Sequence, residues 1–167
     1  MKNIITICLI TLLSGCNLFL PKDLKRFYSL ENLIKEKYFN NQLQDAQELS
    51  NEYLLLARKY PEDWNYGNAI QKAHTYLGLI ALENGYIDAA KAHLIASGNT
   101  PGSPQLDTFG PNMLLAKALL DHNHKNVVLE YLDQLRIFWE MEDGKIDHWK
   151  NQIDRGEAPD FGANLVY

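Results

Sequence analysis

Cysteine is almost missing from this 167-residue chain: Cys8 and Cys16 are the only two. From Asn17 onward no disulfide can form and no thiol remains as nucleophile or zinc ligand, so packing alone must hold the body together. Sustained apolar-polar alternation is also missing, which argues against a sheet. Basic charge is in short supply, with 16 Lys and Arg against 21 Asp and Glu and a net charge of −5. That balance argues against nucleic acid, whose binding rests on cations meeting phosphates, and against a polybasic grip on anionic lipid. No apolar run approaches the roughly 20 residues that a helix needs to cross hydrocarbon. Neither a G-x-S-x-G elbow nor a glycine-rich phosphate loop after a strand occurs. Of the five histidines, His122 and His124 lie at an expected turn, His93 and His148 have no second ligand four residues away, and His74 falls at an expected core position. Zinc usually needs three or four convergent ligands. The expectation is a protein that is not an enzyme and holds no cofactor or metal.

What is present begins at the N-terminus. Lys2 precedes an apolar run, Ile4 to Leu13, followed by Ser14 and Gly15. A positive start, a short apolar stretch and small residues are the parts of a secretory signal. Leu13, Ser14, Gly15 and Cys16 resemble the lipobox of bacterial lipoproteins. That resemblance implies cleavage after Gly15, diacylglycerol on the Cys16 thiol and acylation of its amine. It divides the chain into a signal peptide, 1–15, a lipidated tether, 16–23, and one helical domain, 24–167. Several acyl chains at about 0.8 kcal/mol per buried methylene hold a protein to a bilayer almost irreversibly. Asn17 stands where an aspartate would retain many lipoproteins in the inner membrane, so the resemblance implies the outer membrane, facing the periplasm. Pro21 should stop any helix from Leu18, and Asp23 should cap the next.

Beyond the tether the periodicity is helical. Leu24, Phe27, Tyr28, Leu30, Leu33, Ile34 and Phe39 fall mostly at helical spacing. Further helices are predicted at Ala46 to Tyr60, Ala69 to Glu83, after the turn at Asn84 and Gly85, Met113 to Asp121, Asn126 to Glu140, and over "DGKIDHWKNQID". The tail "RGEAPDFGANLVY" shows no period, yet Phe161, Leu165, Val166 and Tyr167 are apolar enough to dock on the body.

Helix, tight turn, helix at a repeating interval is the pattern of a helical-repeat stack. The segment "AHTYLGLIALENGYIDAAKAHLIAS" resembles a tetratricopeptide repeat: Leu77-Gly78, Ala81, turn glycine Gly85, close-contact Ala90 and Leu94 all match. His74 and Ser97 depart from the family's tryptophan and alanine. A weaker copy uses Leu115-Ala116, Asn123, Val128 and Leu132, and a fainter one has Ala46 after a turn at Asn41. The fold class is therefore all-α, with about three tetratricopeptide-like hairpins, a C-terminal capping helix and a tail.

By that resemblance a concave face carries Lys72, Thr75, Leu79 and Glu83, then Met113, Lys117 and Asp121, and suits an extended peptide or partner helix. The loop from Ser97 to Asn112 is long for a compact domain and rich in hydrogen-bonding groups, among them Asn99, Ser103, Asp107 and Asn112. It admits two readings: a small-molecule or glycan site, or a linker that packs Leu106 and Phe109 on the core. Candidate binding residues are thus Lys72, Thr75, Asn99, Ser103, Asp107, Asn112 and Lys117, with Cys16 for lipid. The expected role is a membrane-anchored adaptor for an unidentified envelope protein or peptide, with the loop-binding reading as alternative.

Overall fold

The computed structural model describes residues 20–166. The lipobox and Cys16 lie outside the described residues. Eight α-helices follow in order: α1 Lys22–Phe39, α2 Leu43–Lys59, α3 Tyr66–Glu83, α4 Ile87–Gly98, α5 Pro104–Phe109, α6 Leu114–Asp121, α7 Lys125–Leu135 and α8 Lys145–Asp154. A 3-10 turn, Gly162–Leu165, ends the tail. No strand occurs among the described residues, and the fold is an all-α stack of helical hairpins.

The hairpins are α1/α2, α3/α4 and α6/α7, and one device closes all three. Asn41, Gly85 and Asn123 adopt left-handed conformations, with φ of 58°, 78° and 65°. The amide of the next residue reaches back to the carbonyl five positions earlier: Gln42 to Lys37 at 2.9 Å, Tyr86 to Ala81 at 2.8 Å and His124 to Leu119 at 2.9 Å. Such a closure satisfies the carbonyls that a helix end leaves orphaned. Five positions beyond each left-handed residue stand Ala46, Ala90 and Val128, all at 0% exposure. Seven before it stand Ile34, Gly78 and Ala116, also buried. A Cβ built on Gly78 would strike Leu115, so glycine is what lets α3 and α6 approach.

Asparagine tolerates the left-handed region and β-branched residues do not. Asn123→Val is expected to cost about 1 to 2 kcal/mol, while Asn123→Gly holds or gains stability. Urea midpoints of the two variants check this.

Two expected boundaries move and one helix is added, each for a physical reason. Helix α1 begins at Lys22, so Asp23 lies in its first turn rather than capping it. There its carboxylate accepts from Lys59 of α2, and that cation holds its pKa down to about 2. Helix α7 ends at Leu135, short of Glu140, because the next residues are drawn into tertiary contacts. Phe138 packs beside Gly102, and the Trp139 ring lies against Gly110, whose φ is 81°. Inside the 97–112 loop, Ser103 caps a helix missed by periodicity: its Oγ accepts from Leu106 N at 3.0 Å, and Pro104 opens α5.

Helix α8 caps the stack through Ile146, Trp149 and Ile153, and the tail docks on it. Trp149 meets Phe161 edge-on at 4.9 Å and donates to Asp160 O at 3.0 Å. Asn164 is buried; its Nδ2 donates to the carbonyls of Phe109 and Pro111, and its own carbonyl accepts from Met113 N. Val166 is exposed, and Tyr167 lies outside the described residues.

Candidate functional site

Helix α3 is the most buried element, and that overturns the expected open face. Lys72 and Thr75 are 6% and 1% exposed, and Leu79 and Met113 are buried too. The chain's own 97–112 segment lies against the first half of α3, with Gln105, Leu106, Phe109 and Gly110 around Lys72. Thr75 is spent internally: its hydroxyl donates to Gln71 O at 2.9 Å and accepts from Gln71 Nε2.

The segment is pinned to α3 at three levels. At the start of α3, Thr100 donates to Gly67 O at 3.1 Å. One residue on, Asn68 Oδ1 accepts from Ser103 at 2.6 Å, and its Nδ2 donates to Gln105 at 2.9 Å and to Asn65. Asn65 in turn donates to the buried Tyr53 hydroxyl at 2.9 Å. Lower still, Gln71 Nε2 donates to Asn112 O at 3.1 Å, and Asn112 Oδ1 accepts from Leu114 N at 2.9 Å. Buried polar groups that bond one another in this way favour one arrangement, although Gln71 Oε1 has no hydrogen-bond partner among the described residues. Asp107 ties the segment to the α7–α8 connection by accepting from Glu140 N at 3.1 Å.

Among the candidate residues, Ser103, Asp107 and Asn112 thus bond within the chain. Asn99 is exposed at the end of α4, and Lys117 is exposed on α6, paired with Asp121 at 2.6 Å. Leu106 packs on the core as expected, whereas Phe109 is 55% exposed.

Between α3 and α5 a cleft of about 170 Å³ remains, lined by Lys72, Gln105, Leu106, Phe109 and Gly110. Its charge is the Lys72 ammonium, which meets Glu31 Oε1 of α1 at 3.0 Å with the lysine side chain only 8% exposed. Phe109 stands at the mouth, and Met141, 53% exposed, follows from the segment bonded to Asp107. The arrangement suits one apolar side chain with a polar or anionic neighbour, a usual combination in small concave sites. Sequence reasoning missed Glu31 because it sits beside the core stripe of α1, one residue after Leu30. Ser103-Pro104 was the available signal for α5.

A second feature joins α3 to α4. His74 and His93 meet Nδ1 to Nδ1 at 3.0 Å, a pair invisible to i, i+4 spacing. Burial pushes His74 down to about 4, helped by the neighbouring His93 and Arg58, and burial also lowers His93. One neutral ring donates and the other accepts. An unfolded histidine titrates near 6.5, so between that value and the folded one the unfolded chain binds more protons. The pair's contribution is therefore complete above about pH 6.5 and lost as pH falls toward 4. Urea midpoints should drop from pH 7 to pH 5, and His74→Phe with His93→Leu should flatten that slope. Among the described residues no group of three or more His, Cys, Asp or Glu could hold a metal.

Fold and site together define a class: an all-helical hairpin stack whose own inserted helix packs beside its central helix, with a small cleft between the two. Searches for likeness give no matching family model, no matching curated protein and no matching solved structure.

Proposed function

We propose that this chain is a lipid-anchored adaptor of the bacterial envelope, held through Cys16 in the outer membrane and facing the periplasm. The tetratricopeptide-like reading of the hairpins belongs to the same proposal. Its partner is a protein, and the surface that reads it is the α3–α5 cleft with the exposed Phe109 in its lining.

The observation that carries the reading is the cleft's composition. A rigid scaffold offers an apolar slot beside an ionisable lysine and an exposed aromatic, and buried pockets flanked by aromatics are where interface energy concentrates. The loop-binding alternative draws less support, since Ser103, Asp107 and Asn112 already bond within the chain. Among the described residues no helix is long and apolar enough to cross a membrane, so attachment in this account falls to the lipid.

The test is a photocrosslinking residue placed at Phe109 in intact cells, with Glu48 on exposed α2 as the control position. The reading expects one envelope protein captured from position 109, none from 48, and loss of capture in Cys16→Ala. Equal capture from both positions, or none from 109, contradicts it.

A further inference from the structure

We infer that the end of the domain where α1 begins is a seat on the bilayer surface, with Trp64 as the side chain that enters the lipid interface. The inference rests on the anchored reading and adds an orientation to it.

Trp64 is one of three tryptophans, and the other two are buried at 2% and 3% exposure. Trp64 is 56% exposed. It stacks on Tyr28 of α1 with ring centroids 5.6 Å apart, and Tyr28 is held by donating to Asp63 at 2.6 Å. The large exposed ring is thus presented on a rigid support rather than on a free side chain. Leu55, 65% exposed, lies one helical turn before Lys59 on α2. Lys59 itself bonds Asp23 in the first turn of α1, so these residues surround one end of the α1/α2 pair.

Position points the same way. Asn17 to Pro21 are five residues between Cys16 and α1, which at about 3.5 Å each reach at most roughly 18 Å. Tyr28 is six residues into α1, only about 9 Å along its axis at 1.5 Å per residue. An anchor at Cys16 therefore keeps Trp64 within reach of the headgroups. Indole, with an apolar body and one N–H, prefers that boundary.

Charge does not oppose the contact. In a chain of net charge −5, this end exposes Lys22, Lys25, Arg58 and Lys59. Its carboxylates Asp23 and Asp63 are engaged by Lys59 and Tyr28, and the exposed Glu62 leaves the four cations in excess of the three acids. The grip comes from the ring and the anchor, with the lysines placed to meet phosphates.

The experiment takes the mature protein purified from cells expressing the full chain and reconstitutes it into vesicles of phosphatidylethanolamine and phosphatidylglycerol. Tryptophan emission is read with and without brominated acyl chains, and with iodide in the water. The inference expects a blue shift and bromine quenching in the wild type, both lost in Trp64→Phe, which keeps an aromatic on Tyr28 and leaves Trp139 and Trp149 as background. Emission that iodide quenches and bromine does not overturns the seat while leaving the anchor standing. Emission shielded from both means that protein covers Trp64, and also overturns it. An intact mass without acyl groups overturns the anchored reading and the seat with it, and this failure is told apart by the spectrum alone.

Discussion

A methyl group on Gly67 is expected to remove about 3 kcal/mol of stability, near the top of the range for overpacking. Gly67 lies in the first turn of α3, and a Cβ built there lands on the carbonyl oxygen and carbon of Gly102. Both atoms are backbone, so no rotamer change relieves the clash. The same glycine's carbonyl accepts from Thr100, so Gly67→Ala pushes the loop away and breaks a buried hydrogen bond in one step. Loss should propagate to Asn68–Ser103 and to the seat of Phe138 beside Gly102. Gly144→Ala is the control: its φ of 79° carries the local cost of a left-handed alanine, but nothing lies within 4 Å of its Cβ. Chemical denaturation should separate the two by a clear margin. Hydrogen exchange in Gly67→Ala should rise first at residues 100–112. Equal losses from both variants would mean that the loop does not press on α3.

Removing Glu31 is the second large effect. Glu31→Ala leaves the Lys72 ammonium in its cleft without a counter-charge. Breaking a buried pair from one side costs about 3 to 5 kcal/mol. Glu31 is itself 29% exposed, so water can reach the site and the expectation is reduced to about 2 to 3 kcal/mol. Replacing both partners, Glu31→Leu with Lys72→Met, should recover most of that loss, because matched apolar groups need no charge partner. The four-way cycle measures the coupling directly. A single Glu31→Ala that is silent, or a double variant as damaged as the single, would show that the pair does not hold α1 to α3. In capture experiments the double variant is the more informative chain, since it folds but presents an uncharged cleft. Loss of capture there assigns the lysine to partner recognition, and unchanged capture leaves recognition to Phe109.

The hairpins were legible because local chemistry and tertiary packing agree at them. Asn41, Gly85 and Asn123 are residues that accept left-handed backbone, and each does so. Ala46, Ala90 and Val128 hold one register after those turns, and the register is shared even though Leu115-Ala116 of α6 stands where α3 has Leu77-Gly78. The placement of the concave face failed for a long-range reason. Helical spacing identifies which residues of α3 point together, but not that a segment some 30 residues later folds back against the helix. Spacing alone therefore puts Lys72 and Thr75 on an open face, whereas α5 lies against Lys72 and Thr75 is buried and bonded to Gln71. The premature end of α7 has the same origin: periodicity runs through to Glu140, while Phe138 and Trp139 are claimed by Gly102 and Gly110. His74 and His93 escaped because their contact crosses two helices. In each case the missing information is a contact between distant parts of the chain.

The measurement that bears most directly on the account is the intact mass of the chain purified from its membrane fraction, with fragmentation from the N-terminus. The account predicts that residues 1–15 are absent and that the first residue is Cys16 carrying acyl groups on sulfur and amine, with Cys16→Ala uncleaved and without lipid. A first residue other than Cys16, or a Cys16 without acyl mass, would contradict it.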